Sequence, residues 1–151
     1  MKKSLLLTGI AFALGAGTAL AQVKPEVMVK QRQAAMTLQA KYLGQMVPMA
    51  QGKVPFRADV VAYDASLLDA LSRMPWDGFA ESTKDVRDVK TAALPVIWSE
   101  PAKFKQAQDN FHNAVDALVR ASKGGDEAAM KAAIGGVGKT CGGCHENFRQ
   151  K

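Results

Sequence analysis

The chain's two cysteines, Cys141 and Cys144, stand three residues apart near the C-terminus, and His145 follows at once. No long-range disulfide can therefore staple this fold, so a packed core, with whatever those thiols bind, has to hold it. The run Cys141-Gly142-Gly143-Cys144-His145 is the pattern of c-type haem attachment. On a helical backbone the two thiols lie one turn apart and reach two vinyl groups along one porphyrin edge. The imidazole next in the chain can bind iron from one face, and Gly142 and Gly143 leave space for the ring. Three other uses compete for the same residues. A thioredoxin-type pair needs a βαβ setting; zinc needs four ligands, and only His112 remains as a further histidine; a disulfide between near neighbours is the plainest alternative. An adjacent histidine in an exported chain favours haem over all three.

Export is read from the N-terminus. Met1, Lys2 and Lys3 precede an apolar run from Leu5 to Leu14 and a small-residue stretch from Gly15 to Ala21. This is the layout of a signal peptide over residues 1–21, cleaved before Gln22, which directs the mature protein to the periplasm. No later stretch is long and apolar enough to cross a bilayer, so no membrane association is expected after cleavage. The remaining 130 of 151 residues, 22–151, suit one domain. Losing Lys2 and Lys3 takes the formal charge of +6 down by two, to +4. Acidic residues are interspersed with the basic ones and no Lys/Arg block carries interleaved aromatics, which argues against nucleic acid. A redox protein partner with an acidic face remains compatible.

The periodicity predicts an all-α chain. A first helix starts at Pro25 and runs to about Ala50, with apolar stripes through Val27, Ala34 or Ala35, Leu38, Tyr42 and Met46 and through Val29, Met36, Ala40, Leu43 and Val47. A second spans roughly Arg57 to Met74. The stretch from Pro75 to Glu100 lacks a sustained period and reads as a long ordered connection, with Trp76, Phe79 and Trp98 capping the core. A third helix begins near Ser99 or Pro101, carries Phe104, Ala107, Phe111, Val115 and Leu118 on one face, and stops at Gly124-Gly125. Asp126 caps a fourth, which runs towards Arg149 with Ala129, Ala133, Val137, Cys141, Cys144 and Phe148 inward. Its glycines Gly135, Gly136, Gly138, Gly142 and Gly143 call for a close-packed object beside it. His112 lies off the apolar stripe of its helix and is expected at the surface. The whole is an antiparallel four-helix bundle with covalently bound haem near the C-terminus.

With these pieces in order, the chain resembles class II c-type cytochromes, the cytochrome c prime family. The resemblance runs from Val23-Lys24-Pro25-Glu26 through Arg32-Gln33-Ala34-Ala35-Met36, Met74-Pro75-Trp76-Asp77-Gly78-Phe79 and Ile97-Trp98-Ser99 to the haem motif and Glu146-Asn147-Phe148-Arg149. It implies one heme c attached through Cys141 and Cys144 and His145 as axial iron ligand. It further implies Arg32 at a haem propionate, Arg149 as a guard beside the axial histidine, and Met36 in the distal position, with Phe79 and Trp76 nearby. The implied function is binding of small diatomic gases such as nitric oxide at a high-spin, five-coordinate iron, exchange of electrons, or both. No distal histidine or carboxylate is placed for peroxide chemistry, so no enzyme is expected. The alternative is a low-spin cytochrome in which Met36 is the sixth iron ligand. The resemblance also implies a homodimer through the first two helices.

Overall fold

The computed structural model describes residues 23–151; the leader over 1–21 and its cleavage site lie outside them. Four long helices, α1 (Pro25–Ala50), α2 (Ala58–Ser72), α4 (Pro101–Gly124) and α5 (Glu127–Phe148), are joined with a single-turn helix α3 (Val96–Ser99) in the longest connection. The long helices pack in a ring, α1 on α2, α2 on α4, α4 on α5 and α5 back on α1. This is the expected four-helix bundle, and among the described residues no strand interrupts it.

Local chemistry sets the helix ends. Pro25 opens α1, where its missing N–H costs nothing. Gly52, with φ of 70°, takes the left-handed turn beyond its end. Gly125 does the same after α4 with φ of 75°. The Asp126 carboxylate then accepts hydrogen bonds from Ala128 N at 2.8 Å and Ala129 N at 3.2 Å. So short a link forces α4 and α5 to lie side by side, antiparallel.

The core joins Met46 of α1, Val61, Ala65 and Leu68 of α2, Phe111, Val115 and Leu118 of α4, and Met130, Ile134 and Val137 of α5. Each fully buried aliphatic side chain contributes about 1.5–3 kcal/mol. The α4 face is the one read from sequence. On α5 the inward line is Met130, Ile134, Val137, Cys141, Cys144 and Phe148, stepping alternately by four and three, while Ala129 is exposed. On α1 the buried line is Val29, Arg32, Ala35, Gln39 and Met46; Val29, Ala35 and Met46 come from the expected stripes, Arg32 and Gln39 do not, and Val27 and Leu38 are each 41% exposed. Gln39 is buried because its Nε2 donates to Leu71 O, 2.8 Å away, near the end of α2. α2 ends at Ser72, earlier than expected, and leaves Met74 exposed; Asp64 is buried on it.

The connection after α2 holds two 3-10 turns, Trp76–Phe79 and Glu81–Thr83, before α3. The first presses on α1 so closely that a Cβ at Gly78 would lie 2.6 Å from Arg32 Cβ and 2.7 Å from Met28 O. The glycines of α5 have no such neighbour: a Cβ at Gly135, Gly136, Gly138, Gly142 or Gly143 would meet nothing within 4 Å. Among the described residues nothing packs against them and none of the five lines the cavity at one end of the bundle, so the close-packed object expected beside them is not found.

Candidate functional site: a haem cavity at one end of the bundle

A cavity of about 590 Å³ opens between the middle of α1, the connection after α2, α4 and the last turns of α5. All eight candidate residues line it: Arg32, Met36, Trp76, Phe79, Cys141, Cys144, His145 and Arg149. Its size is that of a cofactor pocket.

An aromatic wall forms one side. Phe79 and Phe104 lie 4.9 Å apart between ring centres, and Phe104 meets Phe148 edge-on at 5.2 Å. Trp76 packs edge-on against both Phe104 and Phe111. Its Nε1 donates to Ser72 O at 2.6 Å, so this polar edge turns to the backbone and the ring body faces the cavity side. Trp98 does not line the cavity; its indole N–H donates to Phe79 O at 3.0 Å and fixes the turn that carries Phe79. His112 is half-buried, which corrects the surface position expected for it. Its ring stands edge-on to Trp76, and its Nε2 lies 3.0 Å from Ser72 O. A carbonyl can only accept, so that nitrogen carries the proton. The open carbonyl at the end of α2 drew the ring inward, and His112 takes no part in the cavity lining.

The charge pattern is one-sided. Arg32, Arg149 and His145 line the cavity, and no Asp or Glu does. Arg32 is 3% exposed. Its Nη1 donates to Gly78 O, its Nη2 donates to Thr91 Oγ1 at 2.7 Å, and its guanidinium lies 4.5 Å from the Phe79 ring centre. Burial lowers its pKa, and no carboxylate among the described residues offsets this. A buried cation without a counter-charge is costly, and an anion entering beside it relieves the cost.

On α5 the two thiols and the imidazole share one end of the cavity. Burial, then the neighbouring Cys144, pushes the Cys141 thiol up to about 11, and burial also raises Cys144. Both are protonated near neutrality, opposite to the low-pKa thiolate of a redox-exchange pair. His145 is lowered, first by burial and then by the Arg149 charge, which keeps the ring in the neutral form that binds metal.

The end of α5 is tied to the connection. Leu94 N donates to Phe148 O at 3.0 Å and Gln150 N donates to Ala92 O at 2.7 Å, which sets Ala93 opposite Arg149 in an antiparallel bridge. Sequence reasoning did not find Thr91, Ala93 or Ile97 in the lining, because the connection has no period to read. Phe104 and Phe111 were read as helix packing, and they serve the cavity as well.

A covalently held, carboxylate-bearing porphyrin fits these residues: paired thiols one turn apart, a neutral imidazole beside them, an aromatic wall, and a buried cation without a counter-charge in the same lining. A sequence model of the family described as Cytochrome C' matches residues 27–149. Cytochrome c' of Rubrivivax gelatinosus is 44% identical over 128 residues, spanning 85% of this chain and 98% of that protein. The crystal structure of cytochrome c' from the same organism superposes with a TM-score of 0.80 at 43% identity, covering 84% of this chain and 98% of that one. A nitric oxide complex of a leucine-to-isoleucine variant of cytochrome c prime from Alcaligenes xylosoxidans matches with a TM-score of 0.77 at 38% identity, covering 85% and 98%. The cavity therefore has its occupant in heme c, and the chain belongs to the cytochrome c' family.

Proposed function

We propose that this chain, shed of residues 1–21 and held in the periplasm, binds small uncharged diatomic gases such as nitric oxide at an open sixth position of a high-spin haem iron and exchanges electrons with redox proteins. Bound through Cys141 and Cys144, the haem supplies a redox-active iron that takes gaseous ligands. His145 is the axial ligand, Arg32 meets a haem carboxylate, and Arg149 screens the side of His145. Met36, Phe79 and Trp76 restrict what approaches.

The carrying observation is the chemistry of the α1 wall. Met36, Ala40 and Leu43 face the cavity. The polar residues among them spend donors on protein carbonyls: Thr37 Oγ1 donates to Gln33 O at 2.8 Å, and the Gln39 amide donates to Leu71 O. With Arg32 engaged at the corner, this wall offers little to stabilise bound dioxygen and no base for peroxide cleavage, which favours small uncharged ligands and disfavours enzymatic use.

The Met36 sulfur supports a second reading, a six-coordinate electron-transfer cytochrome with Met36 as sixth ligand. Visible spectra of the holoprotein in both oxidation states separate the two. High-spin ferric bands, and carbon monoxide binding to the reduced protein without loss of a ligand, support the open site. An iron–sulfur charge-transfer band that Met36→Ala abolishes rejects it.

Apolar side chains left outward on the first two helices, Val27 and Leu38 on α1 and Tyr63 on α2, support a homodimer through that face. Sedimentation of the holoprotein at micromolar concentration tests this, and a monomer rejects it.

A further inference from the structure

We propose that Thr91 is a second donor to the haem carboxylate at the Arg32 corner, so that this carboxylate is held by a hydroxyl from the connection as well as by a guanidinium from α1. The inference rests on the haem reading above and extends it to a residue that carries no charge and sits in a segment without periodicity.

Thr91 Oγ1 lines the cavity and accepts two hydrogen bonds, from Arg32 Nη2 at 2.7 Å and from Ala93 N at 3.1 Å. A hydroxyl oxygen has two lone pairs and one proton. With both lone pairs engaged, the O–H bond takes the remaining tetrahedral direction, and among the described residues nothing accepts it. A half-buried hydroxyl proton without an acceptor is a donor waiting for one. The Arg32 bond also polarises it: donation from a cation to Oγ1 makes its own proton a better donor.

Among the described residues that line the cavity there is no carboxylate to accept it. Every charged side chain lining the cavity is basic, Arg32 from α1 and Arg149 from the end of α5, with His145 beside the latter. The neighbouring amide, Gln33 Nε2, donates to Lys90 O at 2.9 Å, which fixes the residue before Thr91. What suits this corner is an anionic oxygen acceptor, and a haem carboxylate is one.

Thr91 is also held well enough to position a ligand. On one side Arg32 and Gln33 fix residues 90 and 91 to α1. On the other, the bonds between Ala92 and Gln150 and between Leu94 and Phe148 fix the next residues to the end of α5. The hydroxyl thus sits on backbone clamped between the helix bearing the buried cation and the helix bearing the attachment site.

The test is a double-mutant cycle on the holoprotein, read by the resonance Raman band of the haem propionate bending motion, which moves when donors to the carboxylate are lost. Thr91→Val keeps the shape and removes the hydroxyl; Thr91→Ser keeps the hydroxyl. Arg32→Met removes the guanidinium, and Gly78 O keeps a partner in Thr83 Oγ1 at 3.0 Å. Thr91→Val is expected to shift the band and raise the pH at which the carboxylate protonates by about one unit, with Thr91→Ser restoring both. It must also shift the band in the Arg32→Met background, because a hydroxyl that acts only by placing Arg32 has no further effect once Arg32 is gone. No shift in Thr91→Val, or a shift that vanishes in that background, overturns the proposal and leaves the haem reading intact. Material whose mass shows no attached haem overturns both.

Discussion

Single residues decide whether the cavity keeps its corner. Gly78 has no room for a methyl group against Arg32 and Met28. Gly78→Ala should cost about 1–3 kcal/mol in denaturant unfolding and loosen Arg32, while Gly142→Ala, facing open space, should leave folding of the polypeptide unharmed. Asp64 is a different kind of strain: it is 2% exposed and its Oδ2 has no hydrogen-bond partner. Burial raises its pKa and the Lys41 charge only partly offsets this. The folded carboxyl therefore binds its proton more tightly than the unfolded one. The contribution of this group to stability is fully present below the ordinary carboxylate range and is lost as pH rises through the raised folded value. Asp64→Asn should raise Tm at neutral pH, and thermal melts of the two proteins should converge below about pH 4. Neither residue was legible in the sequence. A glycine between Asp77 and Phe79 looks like any turn, and an aspartate on an amphipathic helix looks like a solvated one, because burial of either is fixed by the helix opposite.

Elements were far easier to read. Helix starts at Pro25 and Asp126 and the stop at Gly124-Gly125 are local chemistry, visible without a partner. Asp126→Ala should remove two N-terminal acceptor bonds and cost about 1 kcal/mol, measured as a lowered denaturant midpoint with unchanged slope. The α4 face was legible because its apolar spacing is unbroken. On α1 the apolar residues outnumber the buried positions, and choosing by hydrophobicity alone selected Val27 and Leu38 over Arg32 and Gln39. Polar burial there follows from neighbouring carbonyls, Gly78 O and Leu71 O, which no pattern within α1 reveals. The eight candidate residues share one cavity, and a covalent motif and an ordered set of short segments marked them in the sequence. Thr91 and its neighbours were not, since an aperiodic connection records nothing of what it touches.

At the scale of the molecule the cavity is the dominant energetic fact. Without haem the roughly 590 Å³ of this open cavity fills with water, which wets the aromatic wall and forfeits the apolar burial that the ring would supply. The protein made without haem, or Cys141→Ala/Cys144→Ala, should therefore lose helical signal and cooperative melting, with amide exchange fastest in the last turns of α5 and the connection. Circular dichroism and hydrogen exchange check this. The ring closes when α5 meets α1, and the same meeting ties Gln150 and Phe148 back to residues 92 and 94. A nascent chain halted before Cys141 thus owns neither thiols nor imidazole nor a finished seat for them. Pigmentation of a preparation consequently counts polypeptides that reach His145, and products truncated before Cys141 emerge colourless.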